Sequence, residues 1–122
     1  MEKLAGYFMK AGVLYALAGF TVGLIMGATH NFGMTSVHVH LSVIGWLTMA
    51  VFAMYYHLVP VAARNGAAKA HFWIANAGVL ILTASLALLV SGVGAAEAGA
   101  AIGSIITVLS LLIFVYIVFK TA

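Results

Sequence analysis

His38 and His40 stand two residues apart at the mouth of an apolar run that continues through Gly45 and Trp46 to Tyr55, Tyr56, His57 and Pro60. Imidazole is the commonest metal-ligating side chain, and an ionisable group left inside a bilayer defaults to a functional reading. Two residues along a helix is about 200° of rotation, which sends the two rings to nearly opposite sides. One helix then offers a ligand to each of two separate sites. A ligating imidazole needs an acceptor for its other ring N–H, and Ser42, Thr48 or backbone carbonyls are the candidates. His30, in the connection just before, supplies a third imidazole for a His30/His38/His40 copper or zinc site. His57 lies roughly 25 Å further along the helix and cannot share that site. His71 falls at a similar depth to His57, so the two could meet. Both read as interfacial residues whose polar tips reach water, and Tyr55 and Tyr56 read as interfacial anchors.

The elements that position these residues follow from composition. The chain has 122 residues, 66% hydrophobic and only 6% charged, with a mean hydropathy of +1.22. Such values exclude an ordinary soluble domain. Four apolar runs approach or exceed spanning length: Ala11 to Thr29, Val37 to Val59, Phe72 to Val90 and Ala98 to Phe119. The expected fold is an all-α membrane protein, one four-helix transmembrane domain over residues 1–122, with the lipid bilayer as its first partner. The first run is longer than a signal-peptide core and lacks a clear small-x-small cleavage site, so it reads as a span.

All five basic residues (Lys3, Lys10, Arg64, Lys69 and Lys120) fall on one side of a four-span plan. The positive-inside rule makes that side cytoplasmic, with both termini inside. The net charge of +3 therefore reflects topology, and no nucleic-acid partner is expected. Without cysteine there are neither disulfides nor thiolate metal sites. Gly19, Gly23 and Gly27 recur at four-residue spacing, which gives the first span one face for close helix packing. Ala98 to Gly103 do the same for the outer half of the fourth.

The run from His38 to Pro60 resembles the tenth transmembrane helix of subunit I of the haem-copper oxidases, where a His-aromatic-His pair opens a helix that runs to a proline. In that family the first histidine binds the high-spin haem iron and the second the low-spin haem iron. Here Val39 replaces the aromatic, while the spacing, Gly45, and His57 ahead of Pro60 are kept. The same stretch is similar to the second helix of the nitric oxide reductase branch, with His38 as ligand and His40 at an Asn position. The run from Ala70 to Gly78 is similar to the helix that follows it there. The oxidase subunit is built as three arcs of four helices, so its second, sixth and tenth helices are equivalent. The resemblance thus implies a haem-copper-oxidase-like arc that assembles as a homotrimer of twelve helices.

It also implies the cofactor. A b-type haem is expected between His38 of one protomer and His40 of the next, with copper as the alternative metal. Bis-imidazole ligation saturates the iron and suits electron transfer from a donor such as quinol or cytochrome. A single imidazole would leave iron open to a diatomic gas. The outer connections hold no arginine to meet haem propionates, so His30, Asn31, Thr35, Ser36 and the helix's first N–H groups are the expected substitutes. The chain lacks the family's His-Pro-Glu-x-x-Tyr segment and its His-His pair, so four-electron reduction of oxygen is not expected. Two other readings stand beside this one: a copper- or zinc-binding or transporting membrane protein, and a cofactor-free structural subunit of a respiratory complex. The expected home is a bacterial inner membrane. The orientation is checked with a membrane-impermeant thiol reagent on intact cells: Ser91→Cys should label and Asn65→Cys should not, and the reverse pattern would overturn it.

Overall fold

The computed structural model describes residues 2–122, and among them every regular element is a helix. Four are long and apolar enough to cross a bilayer. The first helix is Glu2–Thr29, the second spans Thr35–Leu58, the third is Gly66–Val90 and the fourth Glu97–Thr121. The first begins well before Ala11 and the third before Phe72. Lys3, Lys10 and Lys69 are good helix formers whose stems extend a helix into the interface while their tips reach water. Hydropathy marks the hydrocarbon segment rather than the helix.

The helix ends have local causes. Val59 leaves helical geometry (φ −123°, ψ 76°), as the residue before a proline is pushed to do. The second helix therefore stops at Leu58, and Pro60 opens a short turn, Pro60–Ala63, from its N1 position. Asn65 caps the third helix, its side chain accepting the Ala67 N–H at 2.9 Å.

The second helix departs from α geometry between its histidines and its aromatic end. Residues Leu41–Leu47 form a π-helix. At its end the N–H and the hydroxyl of Thr48 both reach the Val43 carbonyl, the hydroxyl at 2.9 Å. Tyr15 presses against this segment at Gly45, where an added methyl would lie 2.7 Å from the tyrosine Cβ. The Tyr15 hydroxyl donates to Asn76 Oδ1 at 2.7 Å, so one tyrosine links the first and third helices across the second.

Lipid gives apolar side chains no reason to leave it, so the helices depend on close packing at small residues. The first and second helices meet where Gly12 faces Trp46 and Met49, Gly19 faces Leu41 and Ser42, and Gly23 faces His38. The third and fourth meet at Gly78 against Thr107 and Gly103 against Leu82. At Gly27, expected on the same packing face as Gly19 and Gly23, an added methyl would meet nothing within 4 Å. A methyl on Gly103 would lie 2.5 Å from the Leu82 backbone nitrogen, so neither helix can yield without moving whole. Gly103→Ala should therefore cost about 1–3 kcal/mol in detergent unfolding, whereas Gly27→Ala should be neutral or mildly stabilising. Equal stability of the two variants would refute this account of the seam.

Candidate functional site

The histidine pair leaves the second helix as its spacing requires. The His38 ring crosses to the first helix and lies over Gly23, where an added methyl would meet Cε1 at 2.7 Å. Its Nδ1 is 2.7 Å from the Gly19 carbonyl. The His40 ring stays on its own helix, with Nδ1 2.7 Å from the Ser36 carbonyl and 3.5 Å from the Ser36 hydroxyl. A carbonyl can only accept, so in each neutral ring Nδ1 carries the hydrogen and Nε2 carries the lone pair. That is the arrangement of a metal-ligating histidine, its second nitrogen fixed by a backbone acceptor. Both side chains are half-buried, and neither Nε2 is sealed inside the described chain.

Of the acceptors expected from sequence, the backbone carbonyls fill the role. Thr48 is engaged with Val43. Ser42 sits beside Gly19 with its hydroxyl buried and unpartnered. Asn31 lies in the exposed loop, its Oδ1 accepting the Gly33 N–H at 3.1 Å, which leaves its NH2 free to donate. The Thr35 hydroxyl is held by the Phe32 carbonyl at 2.6 Å. His30 ends the first helix in left-handed backbone (φ 53°) and is exposed. Among the described residues no three His, Asp or Glu side chains gather to hold a metal, so His30, His38 and His40 do not form a joint site within one chain.

The site that sequence reading misses lies at the opposite end. His71 is fully buried (0% exposed) rather than reaching toward water, and Tyr56 is 2% exposed rather than an interfacial anchor. Their side chains share a hydrogen bond, Tyr56 hydroxyl to His71 Nδ1, at 2.8 Å. Around the imidazole stand Phe52 (centroids 4.5 Å apart), Phe8 (5.0 Å) and Phe114 (5.3 Å). Phe8 also stacks on Tyr56 at 5.3 Å. The cluster draws side chains from all four helices, and within it His71 Nε2 is buried without a partner. His57, read as interfacial and as able to meet His71, is exposed and lines a groove with Met54 and Leu58. The sequence does hold one signal: Tyr56 and His71 are equally far from the turn at Ala63 and Arg64, which puts them at one depth of a helical hairpin.

No family model, curated protein or solved structure matches this chain. Fold and site together define an all-helical chain with four bilayer-length helices and two imidazoles whose Nδ1 atoms are held by backbone carbonyls. Tyr56→Phe would leave both nitrogens of buried His71 without partners and should destabilise by about 1–3 kcal/mol. Tyr56→Phe combined with His71→Leu should recover part of that loss, because an apolar pair leaves nothing unsatisfied. Strict additivity in a double-mutant cycle would contradict the bond.

Proposed function

We propose that this chain is a haem-binding integral membrane protein of the haem-copper oxidase type, a single four-helix arc that assembles as a homotrimer in a bacterial inner membrane. His38 Nε2 of one protomer and His40 Nε2 of a neighbour would hold a b-type haem. The observation that carries this reading is the pair of Nδ1-to-carbonyl contacts, Gly19 for His38 and Ser36 for His40, which leave two lone pairs directed away from their own backbone. The rings diverge from one helix, so two ligands on one iron require a second copy. Three copies of four helices give every His38 a neighbouring His40.

The surroundings support the fit in part. The pair stands at the end of the bundle remote from all five basic residues, so no cation meets the propionates. The Asn31 amide, the Ser36 hydroxyl and His30 are the donors near that end. A bound haem would supply one-electron redox chemistry, and saturation by two imidazoles favours electron transfer from a quinol or cytochrome over gas binding. The chain's own residues fix the ring orientation and keep both imidazoles in the ligating tautomer. The reading is tested by reduced-minus-oxidised absorption of protein expressed with ample haem. A bis-imidazole spectrum is expected, lost in both His38→Ala and His40→Ala. Absence of a Soret band would refute the haem, and a mass that is not a multiple of three chains would refute the trimer.

A further inference from the structure

We infer that the cavity between the second, third and fourth helices binds a small lipophilic phenol or alcohol, an apolar body carrying one O–H donor. The cavity holds about 230 Å³. Its wall includes Ile44, Thr48 and Phe52 of the second helix, Val79 of the third, and Thr107 and Ser110 of the fourth. The remaining wall is apolar, and no charged side chain lines it. A dry protein cavity of about 150 Å³ takes benzene, so a six-membered ring with one substituent fits this one.

Every polar side chain in that wall can accept, and none is free to donate. The Thr48 hydroxyl gives its hydrogen to the Val43 carbonyl at 2.9 Å, Thr107 to Gly103 at 2.8 Å, and Ser110 to Thr107 at 2.7 Å. A hydroxyl has one hydrogen, so only lone pairs remain. The π segment adds a stronger acceptor. The Thr48 N–H reaches back five residues to Val43, whereas from there onward the helix is α and each N–H reaches back four. The Met49 N–H therefore goes to Gly45, and the carbonyl of Ile44 is passed over. A helical carbonyl points toward the residue four further on, here Thr48, and both residues line the cavity. The Thr48 hydroxyl cannot serve Ile44, because it is committed to Val43. An acceptor left without a donor inside a bilayer is costly, so the cavity calls for an occupant that donates. A hydrocarbon would fill the space and leave Ile44 unsatisfied.

The test is magnetic resonance of the full chain in deuterated detergent, with carbon-13 in methionine methyls and isoleucine carbonyls and nitrogen-15 in glycine. Met49 is 1% exposed and lines the cavity, while Met54 lies in an exposed groove and reports non-specific partition. Isoleucine precedes glycine only at Ile44–Gly45 and Ile102–Gly103, so the second pair is an internal control. Phenol should shift the Met49 methyl to saturation and move the Ile44 carbonyl downfield, leaving Ile102 still. Toluene, the same shape without the O–H, should shift Met49 but not the Ile44 carbonyl. Ala75→Leu, which fills the cavity, should weaken phenol binding at least tenfold. A Met49 signal that never saturates, as it would with water alone in the cavity, overturns the site. An Ile44 carbonyl that phenol leaves still, or that toluene moves equally, overturns the call for a donor. Both readings come from the unmodified chain, so they decide the matter even where Ala75→Leu does not fold, and neither involves haem.

Discussion

The hydrogen bond between Tyr56 and His71, closed in by Phe8, Phe52 and Phe114, is the contact on which the bundle's arrangement depends. Two helix pairs pack tightly by themselves, the first with the second and the third with the fourth, each on glycines. Glycine seams make hairpins. They do not say how one hairpin sits on the other. That is set where Tyr56 and His71 link the second helix to the third and aromatic rings from the first and fourth close over them, with Tyr15 and Asn76 adding a second polar link. In lipid, a hydroxyl and an imidazole have strong reason to find each other, because the alternative is two unsatisfied polar groups.

The histidine pair stands at the opposite end from this cluster. His38 and His40 lie beyond the π-helix from the aromatic cluster, where the second helix is held to the first by Gly19 and Gly23. The glycines serve two ends at once. They bring the backbones close enough for the Gly19 carbonyl to reach the His38 ring, and they leave that ring a flat surface to rest on. A side chain at either position would remove the contact that sets the tautomer. Packing and the fixing of the His38 tautomer are therefore one feature of the sequence here.

Much of this is legible in the order of residues alone. Four helices long and apolar enough to span follow from hydropathy and stand in the fold, and the two histidines, divergent at 3.6 residues per turn, find acceptors on different helices. The acceptors of the ring N–H groups stay open among side chains and backbone at that level, because the choice depends on how closely the first helix approaches. His71 reads as interfacial because its place in the chain, just after Arg64 and Lys69, is that of an interfacial residue. Its depth can be read, but the direction of a side chain around the helix depends on its neighbours. Three phenylalanines, distant in sequence, make that position dry. The π segment gives no sequence signal at all, since Leu41 to Leu47 reads as ordinary apolar helix.

That segment has a geometric consequence for the protein as a whole. A π-helix accommodates one residue more than the α-helix it replaces, and one residue is about 100° of azimuth. The second helix therefore has two halves whose angular phases are set independently, one by the aromatic cluster and one by Gly19 and Gly23. The chain can aim its imidazoles without disturbing the residues that hold the bundle. A single deletion between Leu41 and Leu47 would let that stretch close into ordinary α-helix with His38 and His40 near their present azimuth, whereas the same deletion in the α-helical part that follows would turn them about 100° out of phase with the rest.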